Sequence, residues 1–578
     1  MSVNYSKMRK EMQRVGVFPM WGSTAGLQLF MEKYSHKDES FKSRLTTIAN
    51  MLASHTPKVY PGWWDSDEYT KGKSYAEVFF TVAWDGHVSY STPLLANGGI
   101  RSKGSTVSCS GAYMGNNLHN RYDCITESAI LTKQAHGTSV SLDDWPAEGD
   151  VIKRGRSKGV IPIIHDLINC MDEVTQGSRR GSLAYSIRPQ HGDFDKVLNN
   201  LYDNPESNNV GWLIDDEFTR KICVENDEDS LNKLGRMLGV KLPRGKGYFT
   251  FIDKMNRHLA APFKDKVMTV KASNLCQETV LPSDEEHTFS CVILNYNLET
   301  YDSWPEHLIQ IGQIMSDCNI SEYLECIEEM SEHDKKSMVK IKRFTEKFRA
   351  LGSGVLGWHT LMQMKRYPIG SLECMFLNSE IFKRLDKDSK EATQWLAKVI
   401  GEPEGCKGYG IRNATRLMIP PTKSTAEIMA GASEGIGLDT AMAFTKQSAG
   451  GEFFRINKVL LSIIKEKGLD LDACVKEVVK ARGSVQGVDW LSDEDKAALR
   501  TAFEVRMEDY LRLCSQRQKY IDQGQSINLY FTSNDSAEYI GKIHRMAFED
   551  EGILALYYIY SMRGAGGITR IEDCESCQ

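Results

Sequence analysis

The chain has 578 residues, 41% of them apolar and 26% charged, with a formal net charge of −6. That balance belongs to a globular protein with room for a large core, and it excludes the strongly basic surface of a nucleic-acid polymer binder. No stretch approaches the ~20 apolar residues that cross a bilayer, the N-terminal MSVNYSKMRKEMQRVG has no apolar signal core, and 14 cysteines spread over this length are not a secreted disulfide scaffold. The expected compartment is the reducing cytoplasm, where cysteines are buried, metal-bound or redox-active.

Residues 1–90 read as helical, with breaks at Pro57 and Pro61-Gly62. Residues 91–99 (STPLLANGG) read as a loop opening the main domain, and 105–110 as a short β-prone run. Residues 130–136 read as helix, the basic, glycine-rich 149–159 as loop, 160–174 as helix, and 176–181 as a turn into a strand near 182–187. Helices then alternate with short apolar strands to about residue 530. Examples are a strand at 290–295, a helix at 338–350 and a strand at 414–419. Such alternation argues for an α/β domain with parallel strands, and the lack of a linker favours one large barrel. Residues 535–562 read as helical, and from Arg563 the Gly-Ala-Gly-Gly run and acidic end read as a flexible tail. The expected units are thus a helical region (1–90), a catalytic α/β barrel (91–562) and a tail (563–578).

The stretch Asn274-Leu275-Cys276-Gln277-Glu278 joins an amide, a thiol and a carboxylate. If it is extended, alternation puts Asn274, Cys276 and Glu278 on one side, where the thiol does chemistry, the carboxylate moves a proton and the amide holds a hydroxyl. Cys291 follows Cys276 by 15 residues and Cys109 precedes it by 167. A barrel brings the ends of distant strands to one face, so the three thiols either share a site or are separate apolar fillers. Cys574-Glu575-Ser576-Cys577 is a redox pair or half of a zinc site, and no second Cys-x-x-Cys is present to complete the latter. Pro421-Thr422-Lys423-Ser424-Thr425-Ala426 precedes a helical stretch and is either an anion pocket or a plain helix cap. Tyr557-Tyr558 lie in an apolar stretch read as helix.

Together these motifs resemble the catalytic large (α) subunit of class I ribonucleotide reductase, from about Ser91 to the C-terminus. Asn274-x-Cys276-x-Glu278 looks like the family's finger loop, Cys109 and Cys291 its reducing pair, 421–426 its diphosphate-binding turn, Tyr557-Tyr558 its radical relay and Cys574/Cys577 its shuttle. QRQKYIDQGQS (516–526) also reads like the family.

The resemblance implies a ten-stranded α/β barrel of the ribonucleotide reductase/glycyl-radical type, preceded by a helical region, in a ribonucleoside-diphosphate reductase. Cys276 would become a thiyl radical, Glu278 would take the 3′-hydroxyl proton, Asn274 would hold the substrate, and Cys109 and Cys291 would end as a disulfide. Thr92 and Ser108, with Thr422, Lys423, Ser424 and Thr425, would hold the diphosphate. The implied partners are a metal-bearing β subunit (di-iron, iron–manganese or di-manganese), a thioredoxin- or glutaredoxin-type reductant and a second copy of the chain. No metal site is expected on this chain. A dNTP or ATP effector would meet Asn116, Leu118, Asp143 and Arg179, although Asn116 stands where the family commonly has Asp. The short stretch before Ser91 leaves no room for an ATP cone. The rival readings are an adenosylcobalamin-dependent reductase, which has no use for Tyr557-Tyr558, and a thiol–disulfide oxidoreductase using only the terminal pair.

Overall fold

The computed structural model describes residues 4–37, 39–100, 104–176, 179–206, 208–448, 451–563 and 567–568. Cys574 and Cys577, and the side chain of Arg179, lie outside the described set.

A ring of ten strands forms the centre. Five run parallel: Cys109–Tyr113, Thr138–Ser141, Leu183–Ile187, Val210–Ile214 and Tyr248–Phe251. Helices Leu118–Lys133, Ile161–Glu173, Phe194–Asp203 and Glu228–Arg244 connect successive members, the crossover that parallel pairing requires. The other five join in part through isolated bridges. Phe289–Cys291 continues to Val292, which bridges Leu351; Ser353 bridges Leu417, and Ile419 bridges Gln525. Leu529–Thr532 then pairs in parallel with Ile559–Arg563. Two antiparallel junctions close the ring, Cys109–Tyr113 against Phe289–Cys291 and Tyr248–Phe251 against Ala555–Leu556. The expected α/β barrel is present, but as two parallel halves joined antiparallel rather than as one parallel series.

Before the barrel, four helices (Tyr5–Arg14, Thr24–Lys33, Phe41–Ala53 and Tyr75–Trp84) are each entered through an Asn or Ser side chain that accepts a backbone N–H. Buried Arg44 donates to the carbonyls of Leu95 and Gly98, tying this layer to the barrel's first segment.

Several local expectations change. The 91–99 stretch is not a loop: Thr92–Asn97 is a helix, started by Pro93 in its first turn and buried through Leu94 and Leu95. The helix expected at 130–136 ends at Lys133 and begins back at Leu118, and the strand near 105–110 runs from Cys109 to Tyr113. The 149–159 loop carries an exposed two-stranded ribbon, Val151–Ile152 on Gly155–Arg156, and the 176–181 turn carries another, Thr175–Gln176 on Arg179–Arg180. The single strand at 290–295 is two, Phe289–Cys291 and Leu294–Asn297, serving different sheets. At 414–419 only isolated bridges form. Helix in 535–562 stops at Glu549, and Tyr557-Tyr558 sit on extended chain where the ring closes. The apolar pattern there serves a strand buried on both sides, which periodicity does not separate from a buried helix. Gly567–Ile568 folds back onto Met562 and Arg563.

The second half of the ring is held by a buried ionic cluster. Asp317, on helix Leu308–Glu328, accepts from Arg349 Nε at 2.7 Å, Arg412 Nε at 2.8 Å and Asn413 Nδ2 at 2.9 Å. The two guanidiniums overcome burial and hold its carboxyl down at about 2. Its stabilisation is therefore complete above the ordinary carboxylate range and drains as pH falls from about 4 through about 2. Asp317→Ala leaves two cations without their anion, so stability should fall by ~3–5 kcal/mol at pH 7. Thermal unfolding at pH 7 measures this, and an unchanged midpoint would remove the cluster from the account.

Candidate active site

Residues 272–283 enter the ring and are buried almost throughout, although they form neither helix nor strand. An irregular segment survives in such a place only if its backbone groups find partners. Asn274 Oδ1 accepts from the N–H groups of Glu278 and Thr279, both at 3.1 Å. Gln277 N donates to Asn274 O at 3.1 Å, closing a turn. From below, Gly524 N donates to Glu278 O at 2.7 Å, and Gln523 Oε1 accepts from Val280 N at 3.1 Å. Gly524 is required, because a Cβ there would stand 2.9 Å from Glu278 O.

The extended reading of 274–278 is thus replaced by a turn. Gln277 has φ +69, a costly conformation for a residue with a side chain. It is fixed by Thr250, which donates to its Oε1, and by its own Nε2 on Asn274 O at 3.0 Å. Asn274, Cys276 and Glu278 still share one site, brought together by the turn.

Two expected neighbours arrive from the ring. Cys109 and Cys291 face each other across the antiparallel junction, a pairing that sets Cα atoms about 4.5–5.5 Å apart, within the span of a disulfide. Both are free thiols. Asn274 Nδ2 lies 3.5 Å from Cys109 Sγ and 2.7 Å from Glu278 Oε1. Gln523 Nε2 lies 3.3 Å from Cys291 Sγ. Tyr557 OH is 3.5 Å from Cys276 Sγ. The rings of Tyr557 and Tyr558 are 4.1 Å apart, and Tyr248 lies 4.8 Å from the first and 5.5 Å from the second.

Burial sets the charge states. It pushes the Cys291 thiol well up, against the bond from Gln523. It raises Glu278 to about 7, against donors on Asn274 and Ser526. A carboxyl poised there can take or give a proton near neutrality.

The substrate-side expectations divide. Thr422 N-caps the short helix Lys423–Ile428 without a side-chain cap bond; its Oγ1 instead accepts from Gly435 N at 2.8 Å. The plain capping-box alternative is therefore not what forms. Lys423 and Ser424 are partly exposed, whereas Thr425 is buried and donates to Thr422 O. Thr92 is buried beside Tyr34 OH at 3.2 Å. Ser108 Oγ is buried with no hydrogen-bond partner among the described residues, which suits a ligand contact. Of the effector candidates, Asn116 and Leu118 are exposed, while Asp143 is engaged by Arg188 through both N–H and guanidinium.

Four contributors escaped the sequence reading: Gln523 and Ser526 beneath the loop, Tyr248 beside the tyrosine pair, and buried Lys241, which donates to Tyr557 O. Gln523 and Ser526 fall inside the 516–526 stretch that resembles the family, so a signal existed without a role attached.

The barrel thus carries a cysteine on an internal loop, a thiol pair on its wall and a tyrosine pair behind it. The profile described as "Ribonucleotide reductase, barrel domain" matches residues 107–234, 230–408 and 403–559. A Frog virus 3 (isolate Goorha) protein assigned as a ribonucleoside-diphosphate reductase large subunit is 28% identical over 547 residues, 89% of this chain and 94% of that one. The ribonucleoside-diphosphate reductase large subunit of Invertebrate iridescent virus 3 is 29% identical over 356 residues, 61% of this chain and 55% of that one. Among solved structures, the Actinobacillus ureae class Id ribonucleotide reductase alpha subunit superposes with TM-score 0.83 at 30% identity, covering 94% of this chain and 98% of that one. The chain belongs to the ribonucleotide reductase family, as a class I large (α), catalytic subunit. The cobalamin-dependent reading is not favoured, and no helix among the described residues is long and apolar enough to cross a membrane.

The Glu278 environment predicts a pH effect on stability. A carboxyl whose folded value lies near 7 and whose ordinary value is 4.5 binds more protons folded than unfolded between those limits, so it costs stability as pH rises through that window. Glu278→Gln should raise stability at pH 8 by on the order of 2–3 kcal/mol, with the gain vanishing below pH ~4. Thermal midpoints at the two pH values test this; an equal change at both would place the effect in packing.

Proposed function

We propose that the chain reduces ribonucleoside diphosphates to 2′-deoxyribonucleoside diphosphates through a thiyl radical on Cys276. The single observation that carries this reading is Cys276 Sγ at 3.5 Å from Tyr557 OH, on a loop that also bears Asn274 and Glu278, within a site whose wall pairs Cys109 with Cys291.

In this reading Tyr558 and Tyr557 pass the oxidation inward from a separate metal-bearing β subunit, and Tyr557 takes the hydrogen atom of the Cys276 thiol. The Cys276 thiyl then takes the 3′ hydrogen of the ribose, while Glu278, ionised, takes the 3′-hydroxyl proton and Asn274 orients that hydroxyl. Cys109 and Cys291 give two electrons and two protons as the 2′-hydroxyl leaves as water, and end as a disulfide. Glu278 gives its proton back to O3′, and Cys276 returns its hydrogen to C3′. Cys574 and Cys577 restore the pair by thiol exchange and are themselves reduced by a thioredoxin- or glutaredoxin-type protein. Ser108, Thr92 and the 422–425 turn hold the diphosphate, which the open hydrogen-bonding capacity of Ser108 supports.

The β subunit in this reading carries a di-iron, iron–manganese or di-manganese centre. A homodimer with a dNTP site near Asn116, Leu118, Asp143 and Arg179 fits the exposed start of helix Leu118–Lys133, and the reducing cytoplasm fits the free thiols. We assign catalysis to 91–562, with 1–90 as its helical support and 563–578 as the redox tail.

The test is ribonucleotide reduction by the purified chain with its metal-loaded partner. Cys276→Ser should fold and bind substrate but give no product. Tyr557→Phe and Tyr558→Phe should each abolish turnover while costing no more than ~1 kcal/mol of stability, since one hydroxyl is removed. Turnover by the serine variant would remove Cys276 from the chemistry, and full activity of both phenylalanine variants would remove the relay.

A further inference from the structure

Ser526 Oγ lies 2.8 Å from Glu278 Oε2 and 2.6 Å from the carbonyl oxygen of Cys276. A serine hydroxyl carries one proton, so it serves one of these acceptors fully at a time. The other oxygen of Glu278, Oε1, is already held by Asn274 Nδ2 at 2.7 Å. Ser526, Cys276 and Glu278 are all buried, so the choice is made inside the protein rather than by solvent. An ionised carboxylate oxygen is the stronger acceptor, since charge-assisted bonds are roughly twice as strong as neutral ones. Once the carboxyl is neutral that advantage is lost, and the closer peptide carbonyl becomes the better partner.

We infer that Ser526 is a positioning residue that couples the protonation of Glu278 to the backbone of Cys276: its hydroxyl donates to Glu278 while that group is ionised and turns to the Cys276 carbonyl when Glu278 takes a proton. This rests on the reading of Glu278 as the base. The balance is simple. The O–H bond of the substrate's 3′-hydroxyl breaks, an O–H bond forms on Glu278, the Ser526 proton keeps its own bond and changes acceptor, and no electrons move. The consequence is one of timing. The loop gains a second hold on Cys276 during the interval in which that residue stores the hydrogen it must return to the same carbon.

The groups facing Glu278 are consistent with a response governed by Ser526. Asn274 and Cys276 share its loop, Ser526 reaches it from the segment beneath, and Cys291, paired with Cys109 on the wall, feels its charge. Among the described residues no lysine or arginine contributes to its titration; burial raises it, and hydrogen bonds from Asn274, Ser526 and its own backbone N–H lower it.

The experiment is the pH dependence of the single-turnover rate in the full complex, with Ser526→Ala, Ser526→Cys and Ser526→Thr. Loss of a donor to the charged form favours the neutral form, so the acid limb of Ser526→Ala should move up by about one pH unit. Cysteine, a weak donor of similar size, should give an intermediate shift, and threonine, which keeps the hydroxyl, should return the limb toward that of the parent. A lowered rate with an unmoved limb in Ser526→Ala would overturn the inference and leave Ser526 a packing residue. If the alanine variant does not fold, the cysteine variant decides in the same way. Glu278→Gln separates the two levels. If it turns over with the parent's acid limb, the base reading itself fails; if it is inactive while the serine variants keep the parent's limb, only the role of Ser526 fails.

Discussion

Everything in this molecule depends on placing an irregular loop at the centre of a closed barrel without stranding its backbone. The amide of Asn274 carries much of that burden. One oxygen accepts from two loop N–H groups, while the nitrogen spans Glu278 and Cys109. A buried, unsatisfied peptide group costs on the order of 1–3 kcal/mol, so a loop with several of them would not stay inside. The segment 523–526 supplies the rest from the opposite wall through a side-chain amide, a backbone N–H at a glycine and a hydroxyl. The groups that hold the loop are therefore also those that touch the reactive side chains.

Burial then selects the kind of chemistry. In so dry a place the Cys291 thiol is pushed up in its titration, so it stays protonated at neutral pH. That is the wrong state for a nucleophile, which needs the thiolate, and the right state for a donor of hydrogen. The proposed transfer of a hydrogen atom between Tyr557 and Cys276, 3.5 Å apart, would introduce no charge into a medium that penalises charge heavily. Glu278, the proposed base, is held near 7 by opposed effects, burial raising it and hydrogen bonds from Asn274, Ser526 and its own backbone N–H lowering it.

The Asn-x-Cys-x-Glu motif and the Tyr557-Tyr558 pair were legible in the sequence because each is a cluster of unusual chemistry at short range, whereas Cys109, 167 residues before Cys276, was assigned to its site only through the family resemblance. Their geometry was less so. The 274–278 stretch looked extended, since alternation is the simplest way for residues two apart to share a face, but the positive φ of Gln277 is held by the Asn274 carbonyl within the loop and by Thr250, a partner that comes from elsewhere in the chain. Tyr557 and Tyr558 looked helical because a short apolar run serves a buried helix or a buried strand equally well. The meeting of Cys109 with Cys291 followed from a barrel in general terms; their direct register follows from an antiparallel junction that no local pattern announces. Ser526 and Gln523 were invisible as functional residues, because a serine and a glutamine acquire a role only from what the fold sets above them.

The central claim is that Cys109 and Cys291 together deliver the two electrons of reduction while Cys276 only relays hydrogen. Thiol mapping after one turnover without external reductant tests this most directly, in a variant with Cys574 and Cys577 replaced by serine so that exchange cannot spread the oxidation. The account predicts one disulfide per product formed, joining Cys109 to Cys291, with Cys276 recovered as a free thiol. Product formed while both cysteines remain free, or a disulfide that includes Cys276, would contradict it.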